Sequence, residues 1–328
     1  MSKNRVVTKT PHRICLTGGT DLLPYVKKFG GDSFGATIDK FVTVEVSKRN
    51  DQFFNLSYPD ATELVDEKEK IKNPIIRQAL VSHKIYEGLN IKSVSDIPPG
   101  SGLGSSGAFT VGLLNALHAL KGISKSPRLL AEEAADLEIN KLKAPIGKHD
   151  QYMAAHGGFL HLIYKKDGGV TVRKIDIAHD TKKKLESELV LVFSGMKRSA
   201  SETLGVTARR FRSSNEIFSD ISAFRKHGLG LRGHIINNRI ENFANGLKAL
   251  MVAKKQCFVS CTDDKLEEFL NIGYGLGAVG AKVIGAGGGG FVYFYVPKNL
   301  QPRFKKGISA AGGTIYPFRF VFQGSQII

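Results

Sequence analysis

No run of the 328 residues stays apolar for the roughly 18–20 positions that a membrane-crossing helix needs, so none is expected. Cysteine is scarce as well, with only Cys15, Cys257 and Cys261. Three thiols cannot all pair within one chain, which favours a reducing compartment and makes the cytoplasm the expected location. Cys257 and Cys261 stand one helical turn apart, but no further Cys or His nearby completes a metal tetrad, so they read as small buried residues. The opening segment MSKNRVVTKTPHR is basic and lacks the apolar core of a secretory signal. Acidic residues are outnumbered, 30 against 47 Lys and Arg, for a formal net charge of +17. That surplus suits a nucleic acid, a membrane surface or a phosphorylated small molecule, and it equally suits a source whose proteins are basic throughout. Charge alone does not choose.

What is present is ordinary for a soluble folded chain: 42% hydrophobic, 9% aromatic and 23% charged residues, which excludes wholesale disorder, collagen and coiled coil. The length predicts two domains, and the polar stretch from Ala178 to Glu188 places the boundary so that residues 1–180 and 181–328 form the two parts. Residues 37–46 are β-branched with period-2 character and predict a strand. Helical spacing predicts helices over 74–88, 105–120 and 127–142, and a hairpin turns at Asp167-Gly168-Gly169. The second half opens with a charged helix or turn over 180–188 and an apolar strand over 189–193. A helical region over 201–255 follows, with a glycine-rich interruption near 228–233. A helix over 264–270 and strands over 291–296 and 313–322 complete the reading. Strands and helices mix without a strict βαβ alternation, which predicts an α+β fold.

Glycine numbers 36 and is clustered rather than scattered. The pattern GxGxxG occurs at Gly102 to Gly107, Gly275 to Gly280 and Gly285 to Gly290, and three hits in one chain show how little it specifies alone. A dinucleotide site requires a strand before the glycines, then a helix and a second strand ending in an acid; two helices follow Gly107, and a strand follows Gly290. A Walker-type loop fails too, because Gly147-Lys148 is followed by His149. The segment Pro98-Pro99-Gly100-Ser101-Gly102-Leu103-Gly104-Ser105-Ser106-Gly107-Ala108 nevertheless runs glycines and two hydroxyls into the start of a helix. Amides exposed at such a start carry partial positive charge and favour phosphate. A simple turn capped by Ser105 would need one serine and one glycine. Two carboxylates follow, Glu138 and Asp150, separated by Pro145 and Gly147. One could join a loop hydroxyl on Mg²⁺, which prefers oxygen ligands and substrate phosphates, while the other accepts a proton from an attacking hydroxyl. Taken in isolation, both also fit solvated surface acids.

The arrangement resembles the GHMP small-molecule kinases (galactokinase, homoserine kinase, mevalonate kinase and phosphomevalonate kinase). Their first motif is matched by Pro11-His12-Arg13-Ile14-Cys15-Leu16-Thr17-Gly18-Gly19-Thr20-Asp21, their ATP-phosphate loop by Pro98 to Ala108, and their third motif by Gly280 to Gly290. Within that superfamily the sequence is most similar to D-glycero-D-manno-heptose 7-phosphate kinases, through Pro145 to Tyr152, Ser194 to Ser201 and the ending Phe318 to Ser325. It departs from that group in having two glycines, not three, before Thr20-Asp21, which bears on the identity of the sugar.

The resemblance implies an N-terminal domain of the ribosomal-S5-like α+β type, a ferredoxin-like C-terminal domain and a site between them. It implies ATP and Mg²⁺ as cofactors, with Pro99, Gly100, Gly102, Leu103, Gly104, Ser105, Ser106 and Gly107 cradling the nucleotide phosphates. Ser106 and Glu138 would hold the metal. Asp150 would act as base, with Arg13 or Lys148 offsetting charge on the transferring phosphoryl group. Gly18, Gly19, Thr20 and Asp21 would meet the sugar, Lys197, Arg198 and Ser199 its phosphate, and Gly287 and Gly288 the floor of the site. The implied partner is a sugar or sugar phosphate rather than a membrane or nucleic acid, and self-association as a homodimer stays open. A kinase for the C1 hydroxyl of an unphosphorylated sugar, such as galactose or fucose, is the alternative among enzymes. A regulatory or nucleic-acid-binding protein on the same fold is the alternative outside them.

Overall fold

The computed structural model describes residues 4–59, 61–196, 200–213, 215–258 and 260–328. Strand β1 (Arg5–Cys15) leads to helix α1 (Leu23–Phe29) and the long β2 (Gly31–Lys48). Then come β3 (Phe54–Tyr58), β4 (Ala61–Val65), α2 (Pro74–Ser82) and β5 (Leu89–Ser95). Three helices follow, α3 (Ser105–Leu120), α4 (Pro127–Ala135) and α5 (His149–His156), before the hairpin of β6 (Phe159–Tyr164) and β7 (Val170–Lys174). The second half runs through α6 (His179–Glu188), β8 (Leu189–Phe193), α7 (Ala200–Ser213), α8 (Glu216–Ile236), α9 (Ile240–Cys257) and α10 (Asp264–Gly275). It ends with β9 (Gly280–Val283), β10 (Phe291–Tyr295), α11 (Gln301–Ala310), β11 (Thr314–Ile315) and β12 (Gln326–Ile327).

These elements form two sheets. The first has the order β12-β1-β2-β5-β3-β4, with β6 on the early part of β2 and β7 beyond it. β2 is long because it serves two neighbours in turn: residues 31–36 pair with β6 and residues 42–48 with β5. Its alternation is visible in burial, since Val42, Val44 and Val46 are buried between partly exposed neighbours. The second sheet, β11-β8-β10-β9, is antiparallel throughout. Helices α2 to α5 cover one face of the first sheet, where Leu80, Leu113, Leu117, Leu130 and Met153 meet Val44, Ile91 and Leu160. The other face, with Ile14, Phe34 and Ile38, packs against Phe224 and Phe243 of α8 and α9 and against Phe291 and Tyr293 of the second sheet. The far side of that sheet is closed by α10 and α11 through Phe269 and Phe304 against Phe294. The fold is α+β.

Local structure departs from the sequence reading in four places. The helix over 74–88 stops at Ser82, and the chain turns through His83 and Lys84, the latter at a left-handed φ of 52°. The helix over 127–142 changes type, loosening into wider π-type turns over Asp136–Lys141. The glycines near 228–233 do not interrupt a helix but lie inside α8. Gly228 is there for approach: a Cβ on it would stand 2.9 Å from the backbone N of Gly18. Finally, only residues 314–315 of the strand over 313–322 pair with the second sheet. Pro317 has no N–H to continue the ladder, and the chain crosses to the first sheet, where Val321 N donates to Thr37 O at 3.0 Å and Ile38 bridges Phe320. We retain the division near residue 180 as a proposal, with the final dozen residues returning to the first sheet as β12.

Gly228→Ala and Gly230→Ala are expected to separate in urea denaturation. A helical Gly→Ala change gains about 1 kcal/mol of propensity, and Gly230 has nothing within 4 Å of a new Cβ, so that variant is stabilised. At Gly228 the methyl meets backbone, which cannot yield, and the overpacking cost of about 1–3 kcal/mol wins. Equal midpoints for the two variants would refute this account of α8.

Candidate active site

The glycine loop enters α3 with Gly100, Gly102 and Gly104 at φ of 68°, 92° and 79°, a left-handed backbone that only glycine adopts without strain. Gly104 is the N-cap of α3 and offers no side-chain cap, so the first amides of the helix remain available to an anion. The hydroxyls of Ser101 and Ser105 are buried without a hydrogen-bond partner among the described residues. The loop is fixed from behind by the third glycine motif, where Phe291 N donates to Ser101 O at 2.9 Å. It borders a cavity of about 290 Å³.

A bulge in β1 between Pro11 and Arg13 re-aims the strand next to this loop. Arg13, 5% exposed, donates from Nε to Asp150 Oδ1 at 2.8 Å and from Nη1 to Gly102 O at 2.6 Å. Its Nη2 is 2.7 Å from the same Oδ1. Both guanidinium contacts fall on one oxygen, and Asp150 lines the cavity. Asp150 lies in the first turn of α5, which abuts α3 because Gly107 has no side chain: a Cβ there would come within 2.7 Å of Asp150 Cβ.

Glu138 sits in the π-type turns beyond α4, a helix distortion that recurs at functional sites. It is 3% exposed and accepts from Ser106 Oγ at 2.5 Å and from Gln151 Nε2 at 2.8 Å. Burial raises its pKa above the ordinary carboxylate range, and the hydrogen bonds from Ser106, Gln151 and Thr110 oppose that rise. Asp21, also raised by burial, accepts from the backbone N–H of His149 at 3.0 Å. The His149 ring is held in turn by Ser33 Oγ at 2.7 Å from Nδ1.

Several expected residues lie elsewhere. Lys148 Nζ donates to Gly168 O at 2.6 Å, in the β6–β7 turn, and does not line the cavity. Leu103 points into the core, Pro99 is exposed, and Thr20 spends its hydroxyl on the backbone of Asp32. Gly18 packs on Phe224, whereas Gly19 and Asp21 do reach the cavity. Gly287 and Gly288 lie against Cys261, with Gly288 N donating to Cys261 O at 2.6 Å; their neighbours Gly285 and Ala286 form the wall instead. Lys197, Arg198 and Ser199 lie outside the described residues.

In place of Lys148 the cavity receives two buried lysines that sequence reasoning missed. Lys254 Nζ donates to Val283 O and Gly285 O at 2.8 and 2.9 Å, and Lys282 Nζ donates to Cys15 O at 2.9 Å. Burial lowers the pKa of both, that of Lys282 to about 8. Cys15 also lines the cavity. Burial pushes its thiol up, but Lys282, His149 and Arg13 prevail and bring it to about 6. A signal was available: Lys254 lies on the stripe of Leu247, Leu250 and Met251 in α9, and Lys282 interrupts an otherwise apolar strand.

Ser106 and Glu138 bring a hydroxyl and a carboxylate oxygen into contact beside uncapped amides, an all-oxygen pair that fits Mg²⁺ shared with a phosphate. Because burial disfavours its ionised form, Glu138 costs stability above its raised pKa and nothing below the unfolded carboxylate range. Glu138→Gln is therefore expected to raise the melting temperature of the ligand-free protein at pH 7.5. The gain should shrink as the pH falls through the raised pKa. A lower melting temperature at pH 7.5 in scanning calorimetry would contradict this.

Residues 70–158 match the family model of the GHMP kinases N terminal domain. The chain is 25% identical over 332 residues to the D-glycero-alpha-D-manno-heptose 7-phosphate kinase of Campylobacter jejuni, covering 97% of each protein. It is 28% identical over 291 residues to the mevalonate kinase of Thermococcus onnurineus, covering 83% of this chain and 78% of that one. Among solved structures, that of a D-glycero-D-manno-heptose 1-phosphate kinase from Bacteriodes thetaiotaomicron has the same fold, with a TM-score of 0.80, 21% identity and 98% of each chain covered. With the three glycine-bearing motifs gathered around one cavity in that fold, residues 70–158 carry a GHMP kinases N terminal domain, and the chain as a whole is similar to phosphotransferases that act on an alcohol group.

Proposed function

We propose that the protein transfers the γ-phosphate of ATP to the anomeric C1 hydroxyl of a phosphorylated sugar, D-glycero-D-manno-heptose 7-phosphate, giving the 1,7-bisphosphate. One observation carries this reading: the uncapped start of α3, the Ser106–Glu138 pair and Asp150 clamped by Arg13 converge on one cavity. The choice of heptose is supported by the Campylobacter jejuni relative, because that likeness runs through 97% of both chains. The Thermococcus onnurineus mevalonate kinase makes mevalonate the control substrate.

The chain's task is positioning and charge compensation, since phosphoryl transfer asks for little covalent work from the protein. The amides of α3 and the glycine loop bind the phosphate oxygens. Ser106 and Glu138 would hold Mg²⁺, which would supply charge neutralisation for the nucleotide phosphates. Asp150 takes the proton of the C1 hydroxyl on Oδ2 while Arg13 keeps the carboxylate in orientation. The C1 oxygen bonds to the γ-phosphorus as the bond to the bridging oxygen breaks, and ADP leaves with that electron pair. Lys254 and Lys282, rather than Lys148, contribute positive charge beneath the third motif. Asp21, fixed by the His149 amide, accepts from sugar hydroxyls. Lys197, Arg198 and Ser199 remain our candidates for the sugar's own phosphate.

Asp150→Asn is expected to lower kcat by about 10²–10⁴-fold, the span of general-base help, while the dissociation constant for ATP measured by calorimetry stays close to the parent value. Undiminished turnover would remove Asp150 from this role. Substrate choice is tested by ADP release with heptose 7-phosphate, galactose, fucose and mevalonate side by side. The highest kcat/KM is expected for heptose 7-phosphate, and a higher value for any of the others would replace it.

A further inference from the structure

Three side chains of the first half converge without lining the cavity. His83 follows α2, His118 is in the last turn of α3 and Glu133 is in α4. His118 lies thirteen residues beyond Ser105, so about 20 Å along the helix separate it from the glycine loop.

His83 Nε2 stands 3.3 Å from His118 Nε2 and 3.1 Å from Glu133 Oε1, and His118 Nε2 stands 2.7 Å from Glu133 Oε2. The ligand-type atoms of the three residues fall within 4.8 Å of one another. The other ring nitrogen of His83, Nδ1, is 2.9 Å from the Ala79 carbonyl. A carbonyl only accepts, so a hydrogen belongs on Nδ1, and in the neutral ring Nε2 keeps its lone pair. Among the described residues His118 Nδ1 is buried with no hydrogen-bond partner, so the ring's polar contacts lie inside the cluster. With both rings neutral, three acceptor atoms, His83 Nε2 and both Glu133 oxygens, share the single hydrogen that His118 Nε2 can offer. That is a surplus of lone pairs in one place.

The two imidazole nitrogens stand at the spacing of a coordination shell, while His118 and Glu133, now at hydrogen-bond distance, would separate slightly to admit an ion. Two imidazole nitrogens at ~2.0–2.1 Å from zinc, at the tetrahedral angle, stand ~3.3 Å apart, which is the separation of the two Nε2 atoms. A backbone carbonyl on the far nitrogen is the usual orienting partner of a metal-bound histidine. The two rings are 7% and 9% exposed and Glu133 33%, so water reaches the cluster from the carboxylate side and can occupy a fourth position. Two imidazoles and one carboxylate suit zinc and its neighbours and do not suit Mg²⁺.

We infer that His83, His118 and Glu133 form a second, non-catalytic metal site for a divalent ion of the zinc class, tying α2, α3 and α4 together. The ion would fasten the far end of the helix that begins at the glycine loop and the helix that runs on into Glu138.

The test is zinc titration of the EDTA-treated, dialysed full-length protein in millimolar Mg²⁺. Zinc retained after gel filtration is read by elemental analysis, and stability by scanning calorimetry. One zinc per chain at micromolar concentration is expected, with a melting temperature higher by several degrees and no competition from Mg²⁺. Co²⁺ in its place should give the strong visible bands of a four-coordinate site. Glu133→Gln and His83→Gln should each weaken zinc binding at least about tenfold, whereas Glu138→Gln should retain it. Should His83→Gln not fold, the half-exposed Glu133 carries the test. Absence of binding at micromolar zinc overturns the site and leaves a hydrogen-bonded cluster only. So does zinc that Glu133→Gln does not weaken, or that Glu138→Gln abolishes.

Discussion

The direction in which α3 points is set by its burial, and the chemistry of the cavity depends on that direction. From Gly107 to Leu120 nearly every residue of the helix is enclosed, by β1 and β2 on one side and by α4 and α5 on the other. The Thr8 hydroxyl even donates to Gly112 O at 2.9 Å, a contact that a side chain at 112 would obstruct. A rod packed in this way cannot tilt without opening the core. Its uncapped first turn is therefore aimed before any anion arrives, and little reorganisation remains to be done at the moment of reaction.

Around that fixed end the protein gathers charges of both signs and removes most of them from water. Burial raises Glu138 and Asp21 and lowers Lys282 and Lys254, so each of these groups is less comfortable ionised here than in solvent. Asp150 is treated differently: it stays partly exposed and is locked to Arg13, which itself is tied to the loop by Gly102 O. One carboxylate is thus kept open to an incoming proton, while another is sequestered beside a hydroxyl. Two acids of similar intrinsic strength thus stand in different surroundings, which is the basis for the different tasks we propose for them.

Much of this was legible in the sequence where local chemistry and tertiary need agree. The glycine loop and the limits of α3 follow from prolines, glycines and a continuous apolar stripe. Arg13 meets Asp150 and Ser106 meets Glu138 around one cavity, and all four were candidates in the sequence. It failed where chain neighbours diverge in space. Lys148 stands two positions from Asp150, but residues two apart at a helix start face different ways, and it reaches the β6–β7 turn instead. The lysines that do reach the cavity are far from it in sequence and were concealed among apolar residues. The glycines of α8 read as a break because helical propensity knows nothing of the 17–19 loop against which Gly228 packs. Residues 313–322 read as one strand although Pro317 marks where the first pairing ends, because nothing local says that the chain then joins the other sheet.

That passage has a bearing on solubility. Thr8 and Lys9 of β1 are paired on one side by β2 and on the other only by β12, whose Ile327 and Gln326 they face. Ser325 anchors the same segment through Thr10 at 2.8 Å and Asn115 at 3.1 Å. Lifting these last residues would leave a row of main-chain amides and carbonyls open along a flat border, ready to recruit a strand from a neighbouring molecule. In this position Gln326 and Ile327 keep that edge of β1 covered.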